Sequence, residues 1–62
     1  MNDVARMARY YRILGFSAPV NFDQIKVQYR ALALQYHPDR TEGDGNMMRA
    51  INEAYSYFKN LA

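Results

Sequence analysis

The 62-residue chain contains no cysteine, so neither a disulfide framework nor a thiolate metal site can supplement its core. It has a single histidine, fewer ligands than a zinc site requires, and no metal or other cofactor is expected. No apolar run approaches the roughly 18 residues needed to span a bilayer. The amino terminus lacks the apolar stretch and small-residue cleavage site of a secretory signal, so a soluble, intracellular, cytoplasmic protein is the expectation. Charge of one sign is also scarce: eight Arg and Lys against six Asp and Glu leave +2. That excess alone does not argue for nucleic acid, and it suits an acidic protein partner equally well.

What the chain does have is apolar and aromatic. Half of its residues are hydrophobic and six are tyrosine, which predicts a small aromatic-rich core with hydroxyls reaching the surface. The length allows one domain, residues 1–62, and a chain this short buries only about 60% of the surface its unfolded form exposes. Stability must then come from well-packed helices. No internal repeat, low-complexity tract or strand pattern appears.

Helical periodicity marks three segments. From about residue 3 to 14, Val4, Met7, Ala8, Tyr11 and Leu14 recur at steps of three and four, with Asp3 placed to cap the start. Arg6, Arg9 and Arg12 form a basic stripe on the other side, either a solvated face or a surface for an acidic partner. Gly15 is a natural stop, and Ala18-Pro19 continues the break. The second helix, about 22–36, opens with Asn21 as N-cap, Gln24 placed to reach back and Asp23 near the positive end of the dipole. Val20 and Ile25 stand at hydrophobic-staple spacing. Its buried side is marked by Ile25, Tyr29, Leu32, Ala33 and Tyr36, while Lys26 and Arg30 share an exposed face beside Tyr29. After a polar turn from Thr41 to Gly45, with Asp44 as the expected cap, a third helix of about 45–59 repeats Met47, Met48, Ile51, Ala54, Tyr55 and Phe58. Lys59 suits its negative end, and Tyr57 falls on the side expected to be exposed.

These faces predict an all-α fold. The second and third helices form an antiparallel hairpin, with the shorter first helix packed across it. The stretch Leu32-Ala-Leu-Gln-Tyr-His-Pro-Asp-Arg40 closes one arm of that hairpin. Pro38 lacks a backbone N–H and disfavours helical geometry at His37, so the helix should end at about Tyr36 or His37. Asp39 and Arg40 then sit on loop backbone, where contact with another molecule is favoured over core packing.

Four blocks, Tyr10-Tyr11-Arg-Ile-Leu-Gly15, Ile25 to Tyr36, His37-Pro38-Asp39-Arg40 and Ile51-Asn52-Glu53-Ala54-Tyr55, together resemble the J-domain of DnaJ-like co-chaperones over about Tyr10 to Phe58. The resemblance implies protein-folding work by protein–protein interaction: docking on a DnaK-type 70-kDa heat-shock chaperone and stimulation of its ATP hydrolysis. It also implies partner-binding roles for His37, Pro38 and Asp39, with Lys26, Tyr29, Arg30 and Arg40 as the neighbouring surface. A carboxylate on a rigid loop can accept a charge-assisted bond from a partner arginine, and cations on the adjacent helix favour encounter with an acidic groove. No catalytic residue and no small-molecule substrate are implied.

The chain departs from the family pattern in several ways. Val27, Ala31 and Gln35 stand where further basic residues are typical, which thins the electropositive face. The loop from Arg40 to Asn46 is shorter than in DnaJ itself and closer to compact stand-alone J-proteins. The usual fourth helix, the Gly/Phe linker and the client-binding domains are not in the sequence, so the expectation is a monomer or a fragment of a larger protein.

Other readings of the same residues differ in kind. His37 with Asp39 could imitate part of a catalytic triad, but Ser17 and Ser56 lack a nucleophile-elbow context and the chain leaves little room for a pocket. His-Pro-Asp could simply end a helix, Asp39 bonding nearby backbone. Tyr29 suits core and docking roles equally, and Met47 and Met48 read as core filler. Beyond an active co-chaperone stand two alternatives: a J-like interaction module that does not stimulate an ATPase, and a helical nucleic-acid binder using Arg6, Arg9, Arg12, Lys26 and Arg30.

Overall fold

The computed structural model describes residues 3–36 and 45–62. Three helices follow in order, α1 (Asp3–Ile13), α2 (Phe22–Gln35) and α3 (Asn46–Leu61), and no strand occurs among the described residues. The all-α hairpin-and-helix architecture is as expected, with ends shifted by one or two residues where helices fray.

Helix α1 begins with Asp3 already in its first turn, so this residue serves the positive end of the dipole by its charge and not as an N-cap. The far end closes in a Schellman motif. The Gly15 N–H donates to the Arg12 carbonyl and the Phe16 N–H to the Tyr11 carbonyl, both at 2.9 Å. Gly15 adopts φ 93°, the left-handed conformation this closure needs. One orphan carbonyl is met from another helix, since Gln28 Nε2 donates to the Leu14 carbonyl at 2.8 Å.

At the start of α2, Asn21 is the N-cap, and its Oδ1 accepts from the Gln24 N–H at 3.0 Å. Val20 and Ile25 both pack into the core beside this cap, as the staple spacing requires. Gln24 does not complete a return bond with the described residues. Helix α3 starts one residue later than expected: Gly45 occupies the N-cap and supplies no side-chain bond. The expected cap, Asp44, lies outside the described residues.

The core is Tyr10, Leu14, Ile25, Ile51, Ala54 and Phe58. Helix α3 supplies three of these at i, i+3 and i+7, one continuous stripe. Both other helices pack on α3, so α3 is the central element. Tyr55 and Tyr57 flank its stripe on opposite sides, one for each neighbour. The Tyr55 ring stacks on Phe22 and Tyr29 of α2, with centroids 5.8 and 4.2 Å apart. Phe22 and Tyr29 are seven residues apart, a rise of roughly 10 Å along a helix, which leaves space for one ring between them. On the other flank, Tyr57 meets Tyr10 of α1 at 4.7 Å. Tyr57 is therefore half-buried, contrary to its expected exposure.

Helix α1 is also rotated from the expected face. Tyr10 is buried, while Val4 is 75% exposed and Ala8 is exposed. The Tyr10 hydroxyl donates to Glu53 Oε2 at 2.8 Å, which satisfies the polar end of a residue whose ring fills the core. Met47 lies on the same helical arc as Ile51 and Phe58 yet is 43% exposed. The ring and hydrogen-bond contacts of α1 fall on Glu53, Tyr57 and Phe58, more than a turn beyond it.

Candidate partner-docking site

The candidate docking residues belong to α2 and to the segment that follows it. Helix α2 ends where the proline predicts: Tyr36 is its C-cap at φ −109°, ψ 20°, and its N–H still donates to the Leu32 carbonyl at 2.8 Å. His37, Pro38, Asp39 and Arg40 come immediately afterwards and lie outside the described residues. Their neighbours define the frame. The segment 37–44 joins the C-terminus of α2 to the N-terminus of α3, the negative end of one helix dipole to the positive end of the next.

Tyr29 is half-buried and locked between helices. Its hydroxyl donates to Asn52 Oδ1 at 2.7 Å and its ring lies nearly parallel to Tyr55, at 16°. Both the polar and the apolar part of this side chain are thus engaged by α3. Lys26 folds back along the helix, with Nζ over the Phe22 ring at 5.9 Å from its centroid, a cation–π geometry. It therefore points toward the start of α2, away from the His37 end. Arg30, one turn farther along, is exposed. The two cations share a helix face without converging on Tyr29.

The same face also carries large apolar side chains. Val27 is 68% exposed and Leu34 is 72% exposed, and with Arg30 and Ala31 they make the solvent side of α2 mixed, apolar as well as basic. The sequence signals Val27 as a missing cation. Leu34 falls outside the expected buried stripe of Ile25, Tyr29, Leu32, Ala33 and Tyr36, and helical spacing alone assigns an off-stripe leucine no role.

Among the described residues no group of His, Cys, Asp and Glu could hold a metal ion. No helix among them is long and apolar enough to cross a membrane.

A family model described as the DnaJ domain matches residues 9–61, which takes in the second half of α1 and the whole of α2 and α3. The chain belongs to the DnaJ-domain family. Relatives named chaperone protein DnaJ agree with that membership. The protein of Acidiphilium cryptum is 47% identical over 53 residues, covering 81% of this chain and 14% of its own. That of Campylobacter hominis is 46% identical over 57 residues, covering 87% and 16%. That of Clostridium novyi is 47% identical over 49 residues, covering 74% and 13%. The chain thus spans about one seventh of the length of these curated relatives. No solved structure gives a significant match. As a DnaJ domain, the molecule carries the all-α module that the four sequence blocks imply.

Proposed function

We propose that this DnaJ domain docks on a DnaK-type 70-kDa heat-shock chaperone and stimulates its ATP hydrolysis. His37, Pro38 and Asp39 form the indispensable contact, and Lys26, Tyr29, Arg30 and Arg40 form the neighbouring surface. The observation that carries this reading is the DnaJ-domain match over residues 9–61, a span that includes the His-Pro-Asp triplet, in a chain whose α2 is capped at the residue just before it.

The chain performs no chemistry in this reading. Asp39 accepts a charge-assisted hydrogen bond from a cation of the chaperone, and Pro38 limits the backbone freedom lost on docking. By binding the hydrolysis-competent conformation of the chaperone more tightly than the other, the domain shifts that equilibrium by its differential affinity and no further. Arg30 and Lys26 add encounter rate toward an acidic groove. The setting proposed is cytoplasmic, with the domain acting alone or as part of a longer chaperone.

Single-turnover ATP hydrolysis by a cognate DnaK-type chaperone, with and without the domain, tests the reading. Acceleration supports it. Binding without acceleration supports instead an interaction module that does not stimulate, a second reading favoured by the exposed Val27 and Leu34 on the α2 face.

A further inference from the structure

A second surface lies on α1, a different helix from the one that leads into the His-Pro-Asp segment. There the closure of α1 at Gly15 turns the chain back beside its own helix, and an open cleft of about 640 Å³ forms between them. Its walls are Met7, Ala8 and Tyr11 on one side and Phe16 and Pro19 on the other, with Arg12 at the rim. A volume in this range accommodates one or two large apolar side chains. Arg12 also borders a shallow depression on the outer face of α1, floored by Ala5 and Ala8 and ringed by Arg6, Arg9 and Arg12. All three arginines are exposed. Among the described residues none of the three forms an ion pair, and only Arg9 is engaged, over the Tyr10 ring at 5.7 Å.

Apolar recess and basic rim share Arg12, so they form one continuous surface. The charge pattern specifies the complement: carboxylates set beside an apolar anchor. A recessed apolar wall receives a protruding side chain, whereas a membrane-surface helix projects its apolar face outward into lipid. We propose that this face of α1 is a docking site for an acidic amphipathic segment of a partner polypeptide. A leucine or phenylalanine enters the cleft, and adjacent glutamates or aspartates pair with Arg12, Arg9 and Arg6.

The test is an amide NMR titration of the full chain with a short synthetic helical peptide whose apolar face is leucine and whose flanks are glutamate. Saturable shifts confined to Arg6, Met7, Ala8, Arg9, Arg12, Phe16 and Ser17 are expected. Peptides with serine for the leucines, or lysine for the glutamates, should not bind. Arg12→Glu should weaken the acidic peptide about tenfold with an unchanged thermal midpoint; Arg9→Glu replaces it should that variant be less folded. Shifts that spread over α2 or α3, or equal binding of the lysine peptide, would overturn the proposal. So would preference for anionic phosphatidylglycerol vesicles or for an RNA homopolymer over the acidic peptide.

Discussion

The Tyr29 hydroxyl donates to Asn52 Oδ1 at 2.7 Å, a side-chain bond that ties α2 to α3 just above the stacked Tyr29 and Tyr55 rings. Tyr29→Phe removes the bond and keeps the stack. The expected loss of stability is about 0.5–1.5 kcal/mol, the net worth of one hydrogen bond with a partner that can rehydrate. Tyr29→Ala also removes the ring and should cost about 3 kcal/mol or more. Urea denaturation followed by circular dichroism separates the two; equal effects would mean that the ring contributes nothing beyond its hydroxyl.

Gly15 holds the closure of α1 in a conformation that side chains disfavour. A Cβ added at Gly15 meets Gln28 Nε2 at 3.1 Å, on top of the cost of its φ of 93°. Gly15→Ala should destabilise the domain by about 1–2 kcal/mol. Because the same turn forms one wall of the α1 cleft, its amide resonances should move as well. A denaturation midpoint equal to the parent's would contradict the assignment of this glycine as a Schellman closure.

Ile51 is wholly buried at the centre of α3, the helix on which both others pack. Ile51→Ala should cost about 2–5 kcal/mol through lost burial and residual cavity. In a domain this small such a loss approaches the whole stability, which rarely exceeds about 3–5 kcal/mol at this size. The expected result is a chain without a cooperative melting transition at ambient temperature. Met47→Ala, at an exposed position of the same helix, should stay within about 0.5 kcal/mol of the parent.

How far these features were readable in advance depended on whether one helix or two decided them. Asn21, Gly15 and Pro38 act on the backbone next to them, and the ends of α1 and α2 followed from residue type alone. The packing faces of α1 and α3 followed only in part, since Met7, Tyr11, Leu14, Met48, Ile51, Ala54, Tyr55 and Phe58 pack as expected while Val4, Ala8 and Met47 are exposed. A stripe through Val4, Met7, Ala8 and Tyr11 satisfies helical spacing as well as the true one, and only docking on α3 selects Tyr10, whose hydroxyl finds Glu53. Likewise, α3 touches two neighbours and needs an apolar arc wider than a single-sided helix, so Tyr57 belongs to the packed surface despite lying off the main stripe. The candidate site is legible in the sequence as a triplet and its helix, and the triplet lies outside the described residues. The engagement of Tyr29 with Asn52 and of Lys26 with Phe22 is not legible there, because both depend on rotamers that periodicity does not encode.

On the proposed docking face, charge should govern the rate of encounter. Val27→Lys adds a cation to the exposed side of α2 without touching the core. Association with a DnaK-type chaperone should quicken several-fold at low ionic strength and return toward the parent rate in high salt. Stopped-flow binding at two salt concentrations measures this. A rate unaffected by Val27→Lys at low salt would mean that this face of α2 is not part of the encounter surface.

The central claim rests on the carboxylate that follows Pro38. Single-turnover ATP hydrolysis by the DnaK-type chaperone, with the parent domain and with Asp39→Asn at matched folded fraction, tests it most directly. Loss of a desolvated charge pair costs about 2 kcal/mol or more, so the Asn variant should melt as the parent does and fail to accelerate hydrolysis at concentrations where the parent saturates. Undiminished acceleration by Asp39→Asn would contradict the account.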